Sequence, residues 1–315
     1  MAFGQYVNLD FDQIKTSIKD YLRSNTNFTD YDFEGSNLSI IIDALAYNTY
    51  ITSYNTNMAA NECFLDSSTL RENVVSLARN IGYVPRSRRS SRARISFNIS
   101  EITETVTATV RAGIICNGSA ANTSYIFSIP EDITVPVVDG VAVFDNIEIY
   151  EGTLINQNFT VNTSQFNQRY ILSNSFIDTS TIRVKVKPDE SSSSTVTYQQ
   201  IDNIVGVTST SSSYLLQEIE DERYELIFGD NVIGKKLSND NYITVSYIIT
   251  SGKDGNGASE FSFIGNIIDQ DGATIDASNF SLVTTEESSR DGDEIESISS
   301  IKYYAPRIYS SQYRA

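Results

Sequence analysis

Apolar residues recur at helical spacing through the first 85 residues and at every second position through much of the remaining chain. In LDFDQIKTSIKDYLRS, Phe11, Ile14, Ile18, Tyr21 and Leu22 fall on one stripe, the repeat of an amphipathic helix. Asp10 is placed to cap it. In SNLSIIIDALAYNTYITSYNTNMAANECF, Leu38, Ile41, Ile42 and Leu45 form an apolar face and Ser36 can cap the start. This second helix extends to about 20 residues or more, with Tyr47, Tyr50 and Tyr54 on its flanks. Its many Asn, Thr and Tyr residues suit either a solvated surface or contact with another protein. In SSTLRENVVSLARNIGY, the stripe is Leu70, Val74, Leu77, Ala78 and Ile81. Gly82 ends this third helix and Pro85 forbids its continuation.

From residue 94 the period changes from helical to two. Ile95, Phe97 and Ile99 share one face of ARISFNIS. ETVTATV, SYIFSI, GVAVFDNIEIYEG, STIRVKV, RYELIFG and NYITVSYII come next, separated by Gly, Asn, Asp and Ser clusters, as in antiparallel sheets. No strand–helix–strand alternation occurs, which argues against a Rossmann or TIM architecture. Toward the end, Ile295, Ile298 and Ile301 suggest a helix from about Asp293, with Pro306 as its stop.

These patterns predict an α+β chain: an N-terminal helical bundle, a mainly antiparallel β region and a short C-terminal helix. The expected divisions are a helical domain at 1–85, a basic linker at 86–94, a β-rich region at 95–285 and a C-terminal helix and segment at 286–315. The serine runs at 191–194 and 209–213 read as loops of a subdomain inserted at about 154–225.

Composition narrows the chemistry. The chain has 315 residues, a formal net charge of −17, no His and no Trp. The charge makes nucleic acid a poor partner. The lack of His removes the commonest general base and metal ligand. Cys63 and Cys116 form neither a disulfide framework nor a zinc site. MAFGQYVNLD lacks the basic and apolar regions of a signal peptide, and no apolar run is long enough to span a bilayer. Neither a nucleophile–base pair nor a metal motif stands out, so no catalytic, cofactor-binding or metal residue is assigned. The expectation is a structural protein, with no cofactor, rather than an enzyme.

Two stretches invite sharper readings. RSRRSSRAR at 86–94 holds five arginines and no acid. Arg86, Arg88, Arg89 and Arg92 are candidates for contact with an acidic partner, the alternative being pairing with this chain's own acids. FGDNVIGKKL at 228–237 matches the glycines and Lys of a phosphate loop, but Lys236 occupies the hydroxyl position and a strand comes next instead of a helix. A hairpin turn at Gly229, Asp230 and Gly234 fits better. GKDGNGAS at 252–259 and IDQDGATID at 268–276 lack the full ligand set of a calcium loop.

The order of four stretches resembles the baseplate J-like family, and within it the wedge proteins of contractile-tailed phages of the T-even type. They are DFEGSNLSIIIDALAYNTYITSYNTNMAANECFLDSSTLRENVVSLARNIGYVPRS, the β-segment at 108–153, FGDNVIGKKLSNDNYITVSYIITSGKDGNGAS and SRDGDEIESISSIKYYAPRIYSSQYRA. The resemblance implies a structural subunit of the tail baseplate, in the inner ring around the hub, that rearranges when the sheath contracts. It implies other wedge subunits, a second copy of the chain, and hub or sheath-proximal tail proteins as partners, with no nucleic acid and no membrane. The place implied is the virion, after assembly in the host cytoplasm. It also makes Phe228, Gly229, Asp230, Gly234 and Lys235 scaffold residues. Leu38, Ile42, Tyr47, Tyr50 and Tyr54 become candidates for the helix contact between subunits. Family members continue past the segment matching 303–315 into a further domain, so the chain is either naturally short or split, or one part of a longer product. A tail-associated adhesin and a glycan-cleaving enzyme are the alternatives.

Overall fold

The computed structural model describes residues 7, 10–24, 37–102, 105–120, 122–201, 206–275 and 280–312, with side chains to 307. The helices are α1 (Phe11–Arg23), α2 (Asn37–Glu62), α3 (Arg71–Asn80) and α4 (Ile298–Gln312). The first strands are β1 (Arg92–Ile99), β2 (Thr107–Val110), β3 (Gly113–Ala120), β4 (Thr123–Ile129), β5 (Ile133–Val138) and β6 (Val141–Glu151). Next come β7 (Thr153–Thr160), β8 (Tyr170–Ile171), β9 (Ile177–Lys187), β10 (Val196–Gln200), β11 (Ser213–Glu218), β12 (Tyr224–Phe228) and β13 (Tyr242–Ile249). The last are β14 (Glu260–Phe263), β15 (Ile267–Ile268) and β16 (Thr284–Arg290). The chain is therefore α+β, with helices at both ends and sheets that are antiparallel except at the β10–β11 pair.

Two compact units result: residues 1–85 with 297–315, and residues 86–296. In the helical unit, Asp10 caps α1 by accepting hydrogen bonds from the amides of Asp12 and Gln13. Ser36, the expected cap of α2, lies outside the described residues. The start of α3 has no cap of its own. Glu62, at the end of α2, serves instead. Its carboxylate accepts from the Thr69 amide and hydroxyl, the Leu70 amide and the Asn73 side chain. At the other end Gly82, with φ +82°, donates to the Arg79 carbonyl, and Tyr83 donates to that of Ala78. This is the paired closure that a glycine at C′ permits. Val74, Val75 and Ala78 of α3 then pack against Ile301 and Ala305 of α4.

The C-terminal helix departs from expectation at both ends. Residues 284–290 form strand β16, Asp293 exchanges backbone hydrogen bonds with Arg89, and Glu296 donates its amide to the Arg86 carbonyl while its carboxylate accepts from the Arg86 amide, so the helix begins only at Ile298. Those strand-like pairings outweigh the three-residue repeat of isoleucines. Pro306 lies inside α4 rather than at its stop. The ring removes one helical hydrogen bond, while Ile298, Ile301 and Ala305 hold the helix through burial beside α3.

The β unit contains two sheets. In the first, long β6 pairs with β1 on one edge and successively with β5 and β4 on the other. β4 continues to β3 and β14, and β1 pairs with β16. Gly257 donates to the Ser289 carbonyl and Ser289 to that of Ala258. These bonds bring the entry to β14 back to β16, and the strands wrap around one core. Alternation places Ala93, Ile95, Phe97 and Ile99 inside, as the period of two predicts. Phe97 stacks on Phe144 at 4.9 Å between centroids and meets Phe263 and Phe280 at 5.0 and 4.9 Å.

The second sheet runs β7-β13-β9-β10-β11-β12-β8 and occupies residues 153–249, between β6 and β14 of the first. Its outer strands β7 and β8 are joined by a side chain. Gln157 of β7 donates to the Ile171 carbonyl at 3.0 Å and accepts from the Ser173 amide at 2.9 Å. It also accepts from the buried Tyr247 hydroxyl at 3.1 Å.

Candidate functional site

Helix α2 buries a narrow face of Ser39, Ile42, Ala46, Ser53, Asn57 and Asn61. Small and polar side chains suit close approach there, and Asn57 clamps the backbone of Val7 by donating to its carbonyl and accepting from its amide. Apart from Ile42, most of the larger apolar side chains point elsewhere. Ile40, Ala44, Tyr47, Ile51, Tyr54 and Met58 recur at alternating steps of four and three, the spacing of a coiled-coil seam. Ile40 and Tyr47 are 60% and 61% exposed. Ile41 and Leu45 are exposed on an adjoining stripe. Of the residues expected to meet a partner, Tyr47 and Tyr54 are exposed, Leu38 and Tyr50 are half-buried, and Ile42 is only 1% exposed. Ile42 therefore belongs to the inner face and not to the outward seam. The heptad spacing was present in the sequence, but the bulky apolar stripe reads first as core.

The arginine stretch runs into strand β1 through single bridges, Arg88 with Asp178 and Arg89 with Asp293. Arg88 reaches Glu294 at 2.8 Å and lies 4.6 Å from the Phe176 ring centre. Arg92 donates to the Ser180 hydroxyl and lies over Tyr150. Arg86 is 3.5 Å from Asp293 and largely exposed. The Arg89 side chain is exposed, while its backbone pairs with Asp293. Arg88 and Arg92 thus serve this chain's own packing, and Arg86 and Arg89 face outward.

Beneath the arginines lies a polar hub. The Ser90 amide donates to Asp178. Ser91 donates to the Gly252 carbonyl and to Asn256, whose side chain pairs with both backbone groups of Gly292. Glu151, buried, accepts from the Thr250 hydroxyl and the Ser251 amide. Burial pushes its carboxyl upward, against the pull of those bonds. Glycine is required at the crossings. A Cβ on Gly292 would lie 2.2 Å from the Ser91 hydroxyl oxygen, and one on Gly255 would lie 2.6 Å from Glu151. The stretch 252–259 therefore works as packing for the hub.

Residues 228–237 do not form a hairpin. β12 and β13, on either side, lie in one sheet but pair with other strands. Alternation alone could not show that the intervening loop crosses the end of the sheet. The turn itself is tight: Asp230 accepts from the amides of Val232 and Ile233, which hold its carboxyl low, and Asn231 donates to the Gly234 carbonyl. Gly229 has no room for a side chain beside Gly234, whose φ is +80°. Among the described residues no group of three or more His, Cys, Asp or Glu is placed to hold a metal, and no helix is long and apolar enough to cross a membrane.

The helical unit thus presents an apolar stripe to solvent on α2 and buries a narrow face of small and polar side chains. Residues 10–83 match the family model described as baseplate wedge protein gp6-like, helical domain. The chain is also similar to baseplate wedge protein gp6 of Enterobacteria phage T4, with 27% identity over 276 residues. That alignment covers 82% of this chain and 41% of the relative, so the chain spans about two fifths of the length of the protein it resembles. The similarity is to structural proteins of the phage tail baseplate.

Proposed function

We propose that this chain is a structural subunit of a contractile phage tail baseplate. Its place is the wedge, in the inner ring around the hub, and it takes part in the rearrangement that triggers sheath contraction. The observation that carries this reading is the outward seam of α2, which lies within the stretch matching the wedge helical domain. A seam of that spacing gains stability by burying Tyr47, Ile51 and Tyr54 against another helix. Other wedge subunits or a second copy of the chain supply that helix, through a contact spanning residues 36–64. Arg86 and Arg89 offer a separate acidic-partner contact on the β unit. Hub or sheath-proximal tail proteins complete the partners, and the work is done without catalysis or cofactor. On this reading the β region is the J-like part of the subunit, assembled in the host cytoplasm and carried in the virion.

Locating the protein in virions by antibody label in electron micrographs tests the proposal. Label on a ring at the sheath-proximal end of a contractile tail is expected. Label at fibre tips, or none on the tail, would overturn it.

A further inference from the structure

One end of the second sheet carries two loops that wall a cavity of about 520 Å³. The first loop joins β7 to β8 and places Phe166 91% exposed. That exposure is not a sign of slackness. Asn162 accepts from the Ser164 amide, Gln168 bridges the Asn162 amide and the Thr160 carbonyl, and Thr163 donates to Asn239. The second loop is the 229–237 turn, fixed by Asp230 and by Gly234 and Lys235 donating to the Thr208 and Ser211 carbonyls. It holds Val232 73% exposed and Ile233 exposed. Large apolar side chains displayed on hydrogen-bonded loops are the pattern of binding anchors.

The cavity also borders an open strand edge. β8 matches only Glu225 and Leu226 of β12, so Ile227 and Phe228 have no strand beside them on that side. The Tyr224 carbonyl accepts from Leu172 across the same edge. By alternation the backbone of Phe228 faces the cavity as well. Charge completes the description. Lys236 lines the cavity, and both Lys235 and Lys236 are exposed without an ion pair among the described residues. Of the nearby carboxylates, Asp230 accepts from two amides, and Glu225, which lines the cavity, is paired with Arg169.

We propose that this end of the sheet docks an extended segment of another protein whose side chains alternate between apolar and acidic. The open edge selects an extended backbone, Phe166 and the cavity take the apolar side chains, and Lys236 meets a carboxylate. The proposal uses only residues of the β unit and does not rest on the baseplate reading.

The test uses the full chain and a synthetic peptide of alternating leucine and glutamate. Two further peptides carry lysine for glutamate, or methylated amides at alternate positions. Binding is monitored by amide chemical shifts. Shifts confined to 161–168 and 225–237 are expected, with affinity falling about tenfold in Phe166→Ser and in Lys236→Glu. Leu282→Ser, which alters a side chain 92% exposed in the segment leading into β16, should leave affinity unchanged. The lysine and methylated peptides should bind poorly. The proposal is overturned if the glutamate peptide does not bind, if Phe166→Ser binds it normally, or if methylation has no effect. It is also overturned if light scattering shows a dimer that Phe166→Ser abolishes, which would make a second copy the occupant.

Discussion

Glu62 shows how one side chain joins two elements. Its carboxylate takes over the capping of α3 from a residue that lacks a capping side chain, Leu70. Burial alone would raise its pKa. The hydrogen bonds from Thr69, Asn73 and Leu70 outweigh that effect and lower it from 4.5 to about 2. Because the folded value lies below the unfolded one, the carboxylate stabilises fully above about pH 4.5, and the contribution is lost as pH falls toward 2. Glu62→Gln should therefore destabilise the helical unit by about 1 kcal/mol at pH 7, the usual scale for losing a cap. The gap between variant and parent should close as pH approaches 2. Thermal unfolding monitored by circular dichroism at pH 7 and near pH 2.5 checks this. A gap independent of pH would remove the carboxylate from the capping role. No local pattern announces this cap, since Glu62 lies seven residues before Thr69 and at the end of a different helix.

At the scale of elements, α2 exposes what its sequence displays most prominently. Its length and position come from the helical repeat, but its orientation does not. Apolar residues occupy several faces, so the pattern alone cannot say which one packs inside the chain. The narrow inner face is chosen by size: Ser39, Ala46 and Ser53 permit close approach, and Asn57 finds its partner in the Val7 backbone. β1 is the contrary case. There the alternation of Ala93, Ile95, Phe97 and Ile99 with polar residues leaves only one face for the core. The outward seam of α2 yields a separable prediction. Tyr47→Glu with Tyr54→Glu alters exposed positions, so helix content and unfolding temperature should change little. Association with the proposed helical partner should be lost, because two charges would enter an apolar seam. Ile42→Ala should do the reverse and destabilise the helical unit by about 2 kcal/mol or more through loss of a buried side chain. Co-purification and circular dichroism on both variants distinguish the faces. Intact association in the double variant would exclude the seam as the contact.

The arrangement of the two sheets is the part of the molecule least visible in the linear pattern. Strand alternation marks most of the strands, but pairing depends on residues far apart in the chain. β6 ends at Glu151 and β7 starts at Thr153, yet they belong to different sheets, with buried Gly152 between them. A Cβ there would lie 2.2 Å from the Ile249 carbonyl oxygen, and φ is +123°. The chain can change sheets at that point only through glycine. Within the second sheet, the bond from Gln157 to Ile171 replaces a backbone ladder between β7 and β8. A glutamine within a strand gives no sign of that role in sequence, because its partners Ile171, Ser173 and Tyr247 are recruited by the fold. Gln157→Leu conserves approximate size while removing both ends of the bridge. It leaves the Ser173 amide and the Ile171 carbonyl without that partner, whereas Tyr247 keeps its hydrogen bond to Asn174. The expected cost is about 2 kcal/mol, and it should fall unevenly. Amide hydrogen exchange should quicken along β7 and β8, while the amides of β1 and β6, which lie in full backbone ladders of the other sheet, remain protected. Uniform acceleration through both sheets would mean that they open as one cooperative body. Unchanged exchange at β7 and β8 would mean that packing of Tyr247 and its neighbours, rather than the glutamine bridge, holds those edges together.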